Sequence, residues 1–129
     1  MRGAFNAKGK YIMAKYEQQL MGDFDTFLNL INDGIIKGSV SASLEDGSNV
    51  NIGNIRCAVR VYERYSAMGK GRVSLNITLL GFNNTLFLSA ITAGGSQAVF
   101  MKVNTVGETK FLNKLKEIIE NYKRSTNQS

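Results

Sequence analysis

Hydrophobic and polar positions alternate with two different periods along this chain, and the switches between them lay out its elements. Tyr16, Gln18 and Leu20 alternate with Lys15, Glu17 and Gln19, which predicts a short strand over 15–20. Phe24, Phe27, Leu28 and Ile31 then recur at helical spacing behind Asp23, whose carboxylate suits the first free amides of a helix. Asn32-Asp33-Gly34 is expected to end this helix, with Gly34 in the left-handed position past its terminus. From Ser39 to about Asn104 the period falls to two. Val40, Ala42 and Leu44 alternate with serines, and Glu45–Asn54, rich in Asp, Gly, Ser and Asn, reads as a loop. Ile55, Cys57, Val59 and Val61 then face away from Arg56, Ala58, Arg60, Tyr62 and Arg64. Val73, Leu75, Ile77 and Leu79 follow the same rule, and two more strands are expected at about 85–93 and 98–104. Thr105-Val106-Gly107-Glu108 matches a capping box ahead of a last helix carrying Phe111, Leu112, Leu115, Ile118, Ile119 and Tyr122 on one stripe.

The turns set an expected register. A two-residue turn at Asn83-Asn84 places Leu79 opposite Leu88 and Ile77 opposite Ala90. The Ser66–Gly71 connection is expected to place Val61 opposite Ile77 and Val59 opposite Leu79. A turn at Gly94–Gln97 would put Ala90 opposite Met101 and Leu88 opposite Val103. Together these give one buried face. The predicted fold class is α+β: an antiparallel meander of about five to six strands backed by two helices, in the order β-α-β-β-β-β-β-α. The alternative is a helix-grip arrangement, with a curved sheet around the C-terminal helix.

Composition narrows the chemistry more than the architecture. The 129 residues carry 43% apolar and 20% charged side chains, ordinary values for one globular domain. One cysteine rules out an internal disulfide framework, and no apolar run approaches the ~20 residues of a membrane-spanning helix. No membrane partner is expected, and the cytoplasm is the expected location. The formal net charge of +6 owes half its value to Arg2, Lys8 and Lys10 in residues 1–12. That stretch reads as a leader or non-native extension, residues 13–124 as the domain and 125–129 as a disordered tail. The chain has no histidine, which removes the commonest general base and the commonest metal ligand. No catalytic, cofactor or metal site is predicted, and no motif assigns an activity.

The runs CAVRVYERYS (57–66), RVSLNIT (72–78) and LFLSAITAGGSQA (86–98), with the GETKFL start of the last helix (107–112), resemble a bacterial family of small proteins classed as a domain of unknown function. That family is found mainly in clostridia-like Gram-positive bacteria. The resemblance covers about Ala14 to Tyr122, omits the leader and supports Met13 as the natural start. It implies no activity, substrate or functional residue.

The candidate surface is the sheet face turned away from the helices. The expected register puts Leu80 beside Phe87 and Ile91 beside Phe100 there, with Phe82 nearby and Arg56, Arg60, Tyr62 and Arg64 at the other end. A sheet face left to water should be polar, and contiguous apolar surface marks an interface. Self-association through this face as a homodimer is the favoured reading. Two alternatives use other chemistry: a small apolar ligand held between the sheet and the C-terminal helix, or nucleic acid stacked on the aromatics and held by the arginines. Two further residues read as structural. Cys57 is expected to be a buried core thiol, and Glu63 to point inward opposite Leu75 near a strand end.

Overall fold

Apolar helical stripes need a surface to bury against, and here one antiparallel sheet supplies it. The computed structural model describes residues 4–5, 12–65, 71–94 and 102–128. In chain order the elements are β1 (Ala4–Phe5), β2 (Ile12–Met21), α1 (Phe24–Lys37), β3 (Ser43–Ile52), β4 (Ile55–Tyr65), β5 (Arg72–Phe82), β6 (Thr85–Gly94) and α2 (Lys102–Ser125). Across the sheet the strands run β1-β2-β6-β5-β4-β3, every pair antiparallel. Both helices lie on one side, so the α+β fold class read from the sequence is the observed one.

Between the layers Phe27, Ile31 and Ile35 of α1 and Phe111, Leu115 and Ile119 of α2 meet Val73, Leu75, Ile77 and Leu79 of β5 and Leu86, Leu88 and Ala90 of β6. The Phe27 and Tyr122 rings pack at 5.0 Å between centroids and join the two helices. Asp23 caps α1, accepting from the Thr26 amide and hydroxyl at 2.9 Å each, and the amide bond holds its carboxyl below the usual range. The helix does not stop at Gly34. Ile35 continues the buried stripe, and the helix ends instead at Gly38, whose N–H donates to the Gly34 carbonyl. Gly34 serves contact rather than termination: a Cβ there would collide with Ile118 Cδ1.

Three further expectations are corrected by the sheet. The segment Glu45–Asn54 is not a loop but most of edge strand β3, which turns tightly at Gly53 (φ +58°) into β4. All of its residues are exposed, so burial leaves no alternation to read. Second, the neighbour of β6 is β2, pairing Ala90 with Tyr16 and Leu88 with Gln18, rather than a strand over 98–104. Residues 102–104 belong to α2, residues 95–101 lie outside the described residues, and Thr105 falls inside the helix rather than at its cap. Third, the β5–β6 register is as expected, Leu79 opposite Leu88, but β4 is displaced by one residue. Ala58, not Val59, sits opposite Leu79, and Tyr62 sits opposite Leu75.

That single step inverts β4. Ala58 and Tyr62 are fully buried beneath the helices, and the Tyr62 hydroxyl donates to Asn32 Oδ1 at 2.8 Å. Arg56 lies 4.2 Å over the Phe24 ring and Arg64 5.0 Å over Phe111, their stems closing the margin of the core. Cys57 and Glu63, expected to point inward, are on the opposite face, where Glu63 pairs with Arg72.

Two predictions follow from this packing. A Cβ at Gly81 would lie 2.7 Å from Phe24 Cδ2, in a ring held by Arg56. Gly81→Val is expected to lower stability by about 1–3 kcal/mol in urea denaturation. Burial pushes the Tyr62 phenol up to about 12, and burial with the neighbouring Glu120 carboxylate does the same for Tyr16. Unfolded phenols ionise near ~10, so the folded chain keeps these protons longer. Their stabilisation should be intact below about pH 10 and be lost as the pH rises towards ~12. Phenolate absorbance tracked with unfolding over that range checks this; two phenols titrating with the unfolded chain's value would contradict it.

Candidate functional site

Because side chains alternate across a strand, the cross-strand pairing lists what shares the face opposite the helices. The row nearest the β3–β4 and β5–β6 turns reads Ile52, Ile55, Phe82, Thr85 and Met21 from β3 to β2. The next reads Val50, Cys57, Leu80, Phe87 and Gln19. Two mixed rows follow, first Ser48, Val59, Thr78, Ser89 and Glu17, then Asp46, Val61, Asn76, Ile91 and Lys15. Beyond them lie Glu63, Ser74 and Ala93, then Tyr65 and Arg72. Arg72 is paired to Glu63, close to Glu45 and over the Tyr65 ring, while Lys15 pairs with Glu17 between the mixed rows. The apolar character is therefore concentrated at one end and graded along the strands.

No described element packs on this face. Ile52 is 72% exposed, Met21 52%, Phe82 50% and Val50 48%, while Cys57, Val59, Phe87 and Ile91 are half-buried by their neighbours. Apolar side chains of that size in adjacent rows leave a contiguous patch in water, which costs stability unless something covers it. Among the described residues the face carries two cations, Lys15 and Arg72, against four carboxylates, Glu17, Glu45, Asp46 and Glu63. Its described residues do not make a phosphate-binding surface.

The helix-side face of β3 and β4 is different in kind. The helices cover β2, β6 and β5, so the β3–β4 hairpin overhangs them, and a cleft of about 410 Å³ opens between it and the first turns of α1. Arg56 donates from both Nη atoms to Asp25 at 2.9 Å, which raises the Arg56 pKa and lowers that of Asp25. Arg60 donates through Nη1 to the Ser48 and Val59 carbonyls and through Nη2 to Asn49 Oδ1. A larger open groove of about 710 Å³ runs between α1 and α2, lined by helix residues such as Gly34, Ile118 and Tyr122, with no sheet residue in its wall.

The sequence profile of a family described as a family of unknown function (DUF6054) matches residues 13–123. The chain belongs to that family. No curated protein matches it. Among solved structures it is similar to a Pseudomonas aeruginosa protein of unknown function, PA94, at 12% identity and a TM-score of 0.50, over 71% of this chain and 62% of that one. It is also similar to LpqN of Mycobacterium tuberculosis, involved in cell envelope biogenesis, at 16% identity and a TM-score of 0.44, over 87% and 63% of the two chains. The chain thus spans less than two thirds of the length of either, and at these identities the likeness to PA94 concerns the fold alone.

In this DUF6054 member the residues singled out from the sequence divide between two faces. Leu80, Phe82, Phe87 and Ile91 share the open face, with Leu80 beside Phe87 as expected. Arg56, Arg60, Tyr62 and Arg64 lie on the helix side, and burial of Arg64 lowers its pKa. Phe100 lies outside the described residues. A combined aromatic and arginine platform for nucleic acid therefore has its two halves on opposite sides of one sheet. What the sequence reading missed is Val50, Ile52, Ile55, Cys57, Val59 and Val61, which extend the apolar side chains of the open face across β3 and β4. The signal was present: Val50, Ile52, Ile55 and Cys57 are placed symmetrically about Gly53-Asn54, as the two arms of a tight hairpin would be.

Proposed function

We propose that this domain is an assembly module that pairs with a second copy of itself through the open face of its sheet. The observation that carries the reading is the pair of adjacent apolar rows, Ile52-Ile55-Phe82 and Val50-Cys57-Leu80-Phe87, left in water by a fold whose two helices both lie on the other side. A twofold axis through these rows stacks apolar end on apolar end, while the charged ends around Glu63 and Arg72 stay in water.

Size supports a modest affinity. Five strands at ~4.8 Å and three to four rows at ~6.8 Å give ~500–650 Å² of projected area on each copy. The total of roughly 1,000–1,300 Å² sits at the lower limit of specific interfaces and favours a concentration-dependent dimer. A face bearing nothing but scattered apolar residues would need no partner, but two adjacent rows, one apolar across three strands and the other across four, are not scattered.

The test is native mass spectrometry with light scattering on the full 129-residue chain from low to high micromolar concentration. A dimer is expected to build up over that range and to be abolished by Leu80→Lys or Phe82→Glu, with an unchanged circular dichroism spectrum because both side chains point outward. Maleimide labelling of Cys57 should slow as the wild-type chain is concentrated and stay constant in the two variants. A chain that remains monomeric at every concentration, or a dimer indifferent to both substitutions, overturns the reading.

A further inference from the structure

The cleft on the other side of the sheet points to a second site. Arg56 and Arg60 stand on the helix-side face of β4, four residues apart, and both line the same cleft with Asn29 of α1 and Asn49 and Asn51 of β3. Neither guanidinium is free to wander. Arg56 is clamped between the Asp25 carboxylate and the Phe24 ring, and Arg60 is fixed to two main-chain carbonyls and to Asn49. The entropic cost of ordering two long side chains, normally charged against binding, has been met in folding.

The donors exceed the acceptors. A guanidinium has five N–H groups. Arg56 uses two of them on Asp25, and Arg60 uses three on Ser48, Val59 and Asn49. Asn49 spends its oxygen on Arg60, so its amide N–H groups remain to donate, and the exposed amides of Asn29 and Asn51 face the same space. Arg56 is answered by Asp25 and, from beside the cleft, by Asp23, whereas Arg60 has no carboxylate at ion-pair distance among the described residues, so the positive charge of the lining lies at Arg60. A cation would meet repulsion and a carboxylate already taken. A neutral polyol would leave the charge unanswered. An oxyanion matches both the donor excess and the sign.

We infer that this cleft binds a small organic oxyanion, a phosphate monoester or a carboxylate, through Arg60, Arg56 and the asparagine amides. Its volume of about 410 Å³ exceeds what a bare inorganic ion fills and lies within the range of small-molecule pockets. The side chains that would hold the anion, Arg56, Arg60, Asn49 and Asn51, stand on the opposite side of the strands from Leu80 and Phe82.

The test is a titration of the full ¹⁵N-labelled chain with inorganic phosphate, phenyl phosphate and benzoate, against chloride at matched ionic strength, reading the side-chain amides of Asn29, Asn49 and Asn51. Saturable shifts with the phosphates assign phosphate esters, and saturable shifts with benzoate assign carboxylates; either supports the site. Asn51→Asp, which keeps the shape and adds a negative charge, and Arg60→Gln should each weaken binding roughly tenfold or more. Shifts that rise linearly and match those in chloride overturn the inference, as does an affinity unchanged by Asn51→Asp. Repeating the titration on Leu80→Lys should give the same affinity, which separates this site's failure from that of the assembly face.

Discussion

The registration of β4 on β5 governs the character of both sides of this sheet. With Ala58 opposite Leu79 and Tyr62 opposite Leu75, β4 gives the helix layer one small residue, one large ring and three arginines. The same registration sends Ile55, Cys57, Val59 and Val61 to the other side. A slip by one residue would exchange the two sets, because the side-chain period of a strand is two. The chosen register is stabilised by fitted contacts. Tyr62 fills the space under α1 and finds Asn32 for its hydroxyl, and Arg56 and Arg64 lie across the rings of Phe24 and Phe111. The reverse register would bury three branched aliphatics and Cys57 there, but would give up the buried hydroxyl bond and place three guanidinium groups on the open face.

The cost of that choice falls on the open face, and its benefit falls on the overhang. The helices rest on β2, β6 and β5, so at β4 the layer is already at its margin and long amphipathic side chains are the natural fill. One strand further out, β3 lies beyond the main helix packing, and the helix-side residues of its outer half, Asn49 and Asn51, are polar. A single geometric fact, two helices too narrow for a sheet of five long strands, accounts both for the polar cleft on one side of the hairpin and for the position of its arginines.

Much of this was legible in the sequence, and the limits have physical causes. The β5–β6 hairpin is read correctly because Asn83 (φ 54°) tolerates the positive φ that a two-residue turn needs, which pins the register of its arms. The stripe from Phe24 to Ile31 is read correctly because a helix buried on one side must repeat that way. The pairing of β2 with β6 is not readable: no turn joins them, and only the assembled sheet places Leu20 opposite Leu86. For β4 the hydrophobic pattern points the wrong way, since arginine stems at a margin do the work of apolar residues while scoring as polar. Of the candidate surface, the part on β5 and β6 was visible and the part on β3 and β4 was not, because the first was anchored by a turn and the second by tertiary contact.

Association through the face rather than the edges is consistent with how the edges are finished. An edge strand offers unpaired amides and carbonyls to any extended chain, and proteins blunt such edges with irregularity and charge. Here β3 carries a register shift between Leu44 and Asp46, with Glu45, Asp46 and Gly47 around it and two asparagines further on. These are residues that fit poorly into a flat, continuous ladder. At the other side β2 is paired by β1 at Ile12 and Met13, and at its far end the Gln128 amide accepts from the Met21 N–H and donates to the Met21 carbonyl, at 2.7 and 2.8 Å. Residues expected from the sequence to be a disordered tail thus supply, with the Gln128 side chain, the two hydrogen bonds of a neighbouring strand. A sheet blunted along one edge and tied at both ends of the other, yet left apolar across its open face, fits the proposed pairing through that face.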